Sequence, residues 1–592
     1  MRKLYTILAS LLLGASSLTA QSYDVGGTVL NNDIIGWFDI YNLSFTSHNY
    51  GTARSMAMGN AFTALGADMI SASLNPAGIG MYIDSDFSIT PMMQFTKSHT
   101  KGGDDFYAPN TPKSHQRFRE DFDRFGMSSA GAVFTVLKST GAVTNINVGF
   151  AYNRIADFNQ NMRVAAIGEN SANSIANLFA NICNVDGLVT NEDDTMPFGG
   201  DAFHWGPTLA YKNGVINKDK DDQRWFIDRI GSEAEIDQYN AVQTRGSIGE
   251  YALTIGFNLM DKVYIGASLG LQSLDYRREV FYGENYIYPE ELLPPGEEIL
   301  PPGEETLPSG EETLPSVKEM PYQLTYMNYQ QNTHISGMGV NLKFGITARP
   351  VNWLRIGVAY HSPTWYDANF QYGGSMWSET YSAGNNPENY TLNRYGYFQD
   401  DVSSPVITDE GPHGWNFRSP SRLLTGVAVT IGKRVILSAD YERSWYQTNR
   451  LESLPIQGLA SGYTPTFKDV FKGSNTVRVG AEAYILPFLP IRVGYIWNGS
   501  TLRDGYEDIV ASHPMVTEQW FATAGFGIKF SASLYLDFAY QYGISKQSKY
   551  QSFYGYYTDR EGNIDDELTT ESRLYSTYTN RHHAVLTLGF RF

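Results

Sequence analysis

From Tyr251 the chain alternates. Tyr251, Leu253, Ile255, Phe257 and Leu259 fall on one face of an extended segment, with Ala252, Thr254, Gly256 and Asn258 on the other. After Met260–Lys262 the apolar face resumes as Val263, Ile265, Ala267, Leu269 and Leu271, opposite Tyr264, Gly266, Ser268, Gly270 and Gln272. A period of two is the period of a strand, and two such runs joined by a tight turn predict a β-hairpin. The same pattern recurs in Trp520–Phe530 with Leu534–Tyr540, and in Val477–Ile485 with Ile491–Trp497.

Fourteen such segments, each about ten residues long, begin near residues 85, 129, 143, 248, 263, 335, 353, 421, 434, 476, 490, 519, 533 and 581. After the first, the connections alternate long and short to the end, the short ones near 139–142, 260–262, 349–352, 432–433, 487–490 and 531–533. An even number of strands with short turns at one end and long loops at the other is the pattern of an outer-membrane barrel. Lipid offers no hydrogen bonds, so only a closed sheet satisfies every strand edge. The predicted fold is therefore all-β, an antiparallel 14-stranded transmembrane β-barrel over residues 84–592. Trp353 and Phe530 fall at turn-proximal strand ends, where an interfacial aromatic girdle belongs. In the last segment His582, Ala584, Leu586, Leu588, Phe590 and Phe592 alternate with His583, Val585, Thr587, Gly589 and Arg591, and a terminal Phe592 resembles the signal read by the barrel-assembly machinery.

Composition agrees with this picture. Only 18% of the 592 residues are charged, while Gly (56), Tyr (40) and Phe (32) are abundant, as long strands and turns require. A mean hydropathy of −0.31 excludes a bundle of apolar membrane helices and leaves a barrel open. The net charge of −18 argues against nucleic acid as a partner. Arg2 and Lys3 ahead of the apolar run Leu4–Leu13 predict a signal peptide over 1–20, with Gln21 rather than a lipidated Cys after the cut. With Cys183 alone, no internal disulfide can form, and stability must come from hydrogen-bonded sheet or core.

Residues 21–83 do not alternate. They are rich in small residues with scattered Met and Phe, including Gly51–Phe62 and Leu74–Ile79. Fourteen strands enclose more room than their own side chains fill, so this segment is expected to fold into the lumen as a hatch. Asn75-Pro76-Ala77-Gly78 should form a turn in it, since Pro76 fixes its own φ and pushes Asn75 out of helical geometry. Met56, Met58, Phe62, Leu74 and Ile79 are the apolar side chains expected to meet a ligand.

A Gly-Asn-Ala-Phe stretch (Gly59–Phe62) followed by Asn75-Pro76-Ala77, ahead of fourteen strands, resembles the long-chain fatty acid and aromatic hydrocarbon channels, the FadL/TodX family. Tyr360-His361-Ser362-Pro363-Thr364 is similar to a stretch of that family that usually carries Arg where His361 stands. The resemblance implies an outer-membrane channel for passive uptake of hydrophobic small molecules such as long-chain fatty acids, with a hydrophobic ligand and with outer-membrane lipid and lipopolysaccharide as partners. It also implies a kinked third strand beside the hatch, opening a lateral exit. The matching residues are Asn153, Arg154, Asp157 and Phe158. The second and third external loops are longer than the family's, and the alternative they support is a partner-binding barrel serving a protein-secretion system.

The loops and lumen add candidates of lesser weight. Ile175, Leu178, Phe179 and Ile182 follow helical spacing, so 171–183 should be an amphipathic helix, either a groove for ligand capture or a helix packed on neighbouring loops. Pro294–Leu314 is a heptad repeated three times, whose Pro, Gly and Glu suit a solvated external tip. The acidic pairs Asp104-Asp105, Asp193-Asp194 and Asp221-Asp222 lack EF-hand spacing, so no metal is expected. Lys343, Arg355, Asp440, Glu442, Arg478, Glu482, Arg492, Lys529 and Asp537 face inward, as charges of both signs lining a polar lumen. Gly426–Lys433 has the wrong spacing for a P-loop and crosses a hairpin turn. With no nucleophile, zinc or dinucleotide motif either, neither catalysis nor a cofactor is expected.

Overall fold

The structure is a computed structural model that describes residues 24–28, 37–45, 48–102, 117–185, 205–219, 226–228, 230, 234–288, 323–381, 391–401, 415–432, 434–453, 467–506, 510–511, 515–558 and 564–592. The expected leader 1–20, the repeat 294–314 and the three acidic pairs lie outside the described residues.

A closed antiparallel barrel of fourteen strands forms the wall. In chain order these are β1 (Asp86–Gly102), β2 (Arg117–Lys138), β3 (Val143–Asp157, continued by Gln160–Asn170), β4 (Glu235–Leu259), β5 (Val263–Ile287), β6 (Gln323–Val351) and β7 (Leu354–His361, continued by Trp365–Tyr381). They are followed by β8 (Trp415–Arg418 and Arg422–Ile431), β9 (Val435–Ser444 and Arg450–Ser453), β10 (Ser474–Leu486), β11 (Leu489–Asn498), β12 (Val516–Lys529), β13 (Leu534–Gln547) and β14 (Leu574–Arg591). Each pairs with the next, and β14 closes on β1 with Asp86 opposite Arg591 and Gly102 opposite Tyr575. Phe592 adds two backbone bonds to Ser85, of 3.0 and 3.1 Å.

The alternation read from the sequence becomes inside and outside. On β1 the outward positions are Phe87, Ile89, Pro91, Met93 and Phe95; on β14 they are Ala584, Leu586, Leu588 and Phe590. Leu253, Ile346, Val358, Val493 and Leu588 carry the same exposed apolar belt round the wall. A belt of that extent would aggregate in water and is stable in lipid. No described helix is long and apolar enough to cross a membrane; the crossing is made by strands. The protein is an outer-membrane, multi-pass β-barrel.

Four strands start earlier than their apolar pattern implies: β2 at Arg117, β4 at Glu235, β6 at Gln323 and β14 at Leu574, against expected starts near 129, 248, 335 and 581. Above the belt the outward residues turn polar, for example Asp123, Gln243, Asn332 and Asn580, so alternation no longer marks the strand. Backbone pairing continues all the same, because the partner strand is still there to receive it. Sheet thus replaces much of what reads as loop.

The chain before β1 threads the barrel. Strand Asp24–Thr28 pairs with Tyr554–Thr558, which pairs with Ile564–Glu571 in the long connection between β13 and β14, on the external side. Helix α1 (Trp37–Ser44) follows, then residues 48–82 descend to Ser85 at the opposite end, through the short helix α2 (Ala53–Ala57) and the 3₁₀ turns Met69–Ala72 and Pro76–Met81. The predicted amphipathic helix is α3 (Ile175–Val185), preceded by a 3₁₀ turn over Ser171–Asn173. Ile175, Leu178, Phe179 and Ile182 are all buried, in one external apolar cluster with Tyr41, Phe45, Tyr329, Phe471 and Met515. Its apolar face is covered, so this helix packs and offers no open groove.

Candidate functional site: a break in the wall beside a filled lumen

Residues 48–82 are held against the inner wall by bonds to strands all round it. Thr523 Oγ1 donates to the Ala57 carbonyl (2.9 Å), the Thr63 N–H donates to Asp440 Oδ2 (2.8 Å) and Arg355 donates to the Leu65 carbonyl (2.8 Å). Ser73 Oγ donates to Glu250 (2.7 Å), His361 Nε2 meets the Leu74 carbonyl (2.8 Å), and Asn147 Nδ2 bonds the carbonyls of Ile79 and Tyr82 (both 2.8 Å). Arg54 reaches Glu482 at 3.2 Å.

The Asn75 turn sits at the centre of this. Its side-chain oxygen accepts from the Ala77 N–H (3.1 Å), capping the 3₁₀ turn that opens on Pro76, and the Gly78 N–H closes on the Asn75 carbonyl (2.9 Å). Its Nδ2 donates to the Thr63 carbonyl (2.6 Å) and to Thr347 Oγ1 on β6 (3.2 Å), so one residue ties two luminal loops and the wall. Gly59 and Asn60 both take positive φ (60° and 52°), which Gly and Asn adopt most readily, and Asn60 Nδ2 reaches back to the His48 carbonyl (2.8 Å).

Close approach depends on inward glycines that the sequence reading placed on the polar face without giving them a role. A Cβ at Gly256 would strike Gly80, at Gly266 the Pro76 carbonyl, at Gly357 the Thr63 carbonyl and at Gly480 the Met58 carbonyl. The signal was present as glycine at period-two inner positions of successive strands.

The five apolar residues expected at a ligand do not share one pocket. Met56 packs with Tyr50, Met92 and Val585; Met58, Phe62 and Leu74 pack with Ala359, Leu424 and Ala428; Ile79 packs with Val133, Ala151 and Ala252. All five are buried against the wall.

Open volume lies higher, where the third strand breaks. β2 pairs with β3 only from Ser129 opposite Asn153 down to Lys138 opposite Asn145. Above that, β2 pairs only with β1, and the continuation Gln160–Asn170 pairs only with β4. Gly246 on β4, at φ 114°, packs against the Asp275 carbonyl at the same height, where only glycine fits. Side chains bridge the break in place of a ladder. Arg154 Nε donates to the Met127 carbonyl (3.2 Å), Arg124 to Asn159 Oδ1 (3.0 Å) and Asn161 Nδ2 to the Asp121 carbonyl (3.0 Å).

The four residues named for a lateral exit border this break. Asn153 is the last paired residue, accepting from Ser129 Oγ (2.7 Å) and donating inward to Ser73 Oγ (3.0 Å). Arg154 and Asp157 form a buried ion pair of 2.6 Å, and Asp157 also accepts from Gln94 (2.9 Å) and the Asn159 N–H (3.0 Å). Phe158 stands edge-on to Tyr276, with ring centroids 5.2 Å apart.

Behind them is a cavity of about 70 Å³ between the luminal residues Phe45, Asn49 and Tyr50 and the wall residues Phe158, Tyr276, Met162, Val242 and Phe521. Arg581 lines it; its Nη1 donates to the Asp157 carbonyl (3.2 Å), and its buried Nε has no protein partner among the described residues. Asn49, Gln160, Thr244, Gln519 and Gln547 share the lining with the apolar side chains, and the Asp157 carboxylate lines it as well as the Arg581 guanidinium. Neither Phe45, Val242 nor Arg581 stood out in the sequence, because they come from three segments spread over most of the chain.

The lumen charges pair among themselves: Lys343 with Glu250, Arg478 with Glu442 (2.7 Å), and Arg492 with Glu482 and Asp537 (both 2.6 Å). Arg355, Asp440 and Lys529 stand outside these pairs, the first two bonded to the backbone of the luminal segment. Lys529 is exposed at the rim and donates to Tyr484 Oη (3.2 Å). Among the described residues no His, Cys, Asp and Glu are grouped to hold a metal ion.

No protein-family model and no curated protein matches the chain. Among solved structures it is similar to the Pseudomonas putida toluene transporter TodX, with 11% identity and a TM-score of 0.44 over 92% of this chain and 99% of that one. The CymD monoaromatic hydrocarbon channel (11% identity, TM-score 0.42, 92% and 99% covered) and a Pseudomonas aeruginosa FadL homologue (11%, 0.42, 92% and 98%) are similar to it as well. These are structures of the group that the sequence resembles.

Proposed function

We propose that the protein is an outer-membrane channel that takes up hydrophobic small molecules, long-chain fatty acids among them, without an energy source. Residues 21–83 act as its hatch, and Asn153, Arg154, Asp157 and Phe158 border a lateral exit into lipid. The observation that carries this reading is the unpaired stretch between β2 and β3 beside a partly apolar cavity, above a lumen filled by residues 48–82. A straight aqueous pore would give an apolar solute no favourable path. A partly apolar cavity next to a wall held only by side chains gives it one when those side chains part and the cavity, about 70 Å³ as it stands, widens. The Arg581 end suits a ligand with an acceptor or anionic head.

The test is uptake of a radiolabelled long-chain fatty acid by cells with and without the protein. Filling the chamber with Val242→Phe and Met162→Phe should lower uptake several-fold while the barrel remains heat-resistant on gels. Unchanged uptake in the filled variant would overturn the reading.

A further inference from the structure

The outer surface of the barrel changes character above the apolar belt. On β1 the outward series Phe87, Ile89, Pro91, Met93, Phe95 changes abruptly to Lys97, His99 and Lys101. On β2, Asp121 stands opposite Lys97, Arg119 opposite His99 and Arg117 opposite Lys101. On the other flank, Asn580 and Tyr578 of β14 stand opposite Lys97 and His99. These residues form one outward face directly above the apolar belt, at the end of the barrel with the long connections. That is the height of the outer leaflet's headgroups.

Only one of the four cations there is held in an ion pair among the described residues. Arg119 is held by Asp121 through two bonds of 3.0 Å, whereas Lys97, Lys101 and Arg117 have no carboxylate in ion-pair range among the described residues. His99 is fixed in place, stacked on Tyr578 at 4.7 Å and 11° with its Nε2 3.3 Å from Asn580 Nδ2. The face sets Lys97, Lys101, Arg117 and Arg119 against Asp121 and Asp123. It is basic in a chain of net charge −18.

We propose that this face binds the phosphorylated sugar headgroup of lipopolysaccharide. Ammonium and guanidinium groups make short, charge-assisted bonds to phosphate oxygens. The outward Phe95, Met93 and Phe125 just below offer the apolar surface that the same molecule's acyl chains need. An anionic solute lacking acyl chains would meet only half of the site. The proposal rests on the chain being an outer-membrane barrel, and is independent of what the barrel transports.

Native mass spectrometry of the detergent-purified protein mixed with diphosphoryl lipid A in EDTA tests it. The wild type should retain the lipid, and Lys97→Glu with Lys101→Glu and Arg117→Glu should lower retention at least ten-fold. The control Arg277→Glu, on β5, should not change retention, and the dephosphorylated lipid should bind both proteins equally weakly. Retention of the phosphorylated lipid by the triple variant at the wild-type level would overturn the proposal. So would retention that requires Mg²⁺ and is lost in Asp121→Asn, since the carboxylates would then be holding the lipid through the metal. A triple variant that fails to assemble is replaced by Lys101→Glu alone, for which a smaller loss in the same direction is expected and no loss counts against the site.

Discussion

The lower lumen and the external chamber are filled in opposite ways. Below, residues 48–82 meet the wall backbone to backbone, across inward glycines and through hydrogen bonds such as Thr63 to Asp440 and Asn75 to Thr347. Above, the filling is large side chains. Tyr41 stacks on Phe471 with centroids 4.5 Å apart, and Phe179 meets Tyr329 edge-on. Directional bonds at close range fix one position. Apolar contacts are non-directional and tolerate rearrangement. On the proposed reading, the rigid half would close the channel and the adaptable half would accommodate a ligand of variable shape.

The largest effect should come from forcing the rigid half apart. Gly266→Val with Gly345→Val places side chains on Pro76 and Asn75. The strands keep their pairing, so heat-resistance on gels should persist, while single-channel conductance in planar bilayers rises several-fold as the luminal segment is displaced. Overpacking of this kind costs about 1–3 kcal/mol per site. Unchanged conductance would mean that the segment yields without opening a path, and that the two halves are equally plastic.

Loosening the Asn75 turn is the milder version. Asn75→Ala with Pro76→Gly removes the cap and both cross-links while leaving the wall intact. Assembly should be normal and uptake of a hydrophobic substrate should fall several-fold. Normal uptake would remove the turn from any gating role.

In the external half, Phe179→Ala should cost about 3–5 kcal/mol of local packing, as for other buried aromatics. Conductance should stay at the wild-type level. Faster amide exchange confined to α3 is the expected reading, and exchange spreading to residues 53–82 would show that the halves are coupled.

The smallest effect is one of pH. Glu284 lies above the belt and accepts from Ser174 Oγ (2.5 Å), Tyr286 Oη (2.6 Å) and the Ile175 N–H at the start of α3 (3.0 Å). Burial raises its pKa despite those donors, and burial pushes Asp228 up to about 6. A carboxyl with a raised folded-state pKa adds stability that is complete below its unfolded pKa and is lost as pH rises through the folded one. Amide exchange of α3 should therefore be slower, relative to the intrinsic rate, at pH 4 than at pH 8, with a change near pH 6. Glu284→Gln should flatten part of that dependence. A trend of opposite sign would mean that the carboxylates gain more from their donors than they lose by burial.

The wall was legible because lipid enforces one rule on every strand: an apolar residue at each second position, from Phe87 to Phe95 and from Leu586 to Phe590. Where that rule stops, at Lys97 or His582, the strand ends became invisible although pairing runs on. The Asn75 turn could also be read, since Pro76 restricts its neighbour and Asn75 can cap the turn by itself. Its second bond, to Thr347, could not.

Local chemistry alone thus determined the fourteen crossings, their inside and outside, and the existence of a non-barrel segment before β1. Tertiary structure decided the rest. Phe45, Val242 and Arg581 meet at this cavity only because β14 closes on β1 and the N-terminal chain threads the lumen of the closed barrel. The break in β3 arises from which strands pair above Asn153, a matter of register between segments far apart in sequence. The basic face exists only once Lys97, Lys101 and Arg117 are aligned by the β1–β2 ladder. Periodicity is a property of neighbours along the chain, whereas cavities, gaps and charged faces depend on which distant neighbours the closed sheet brings together.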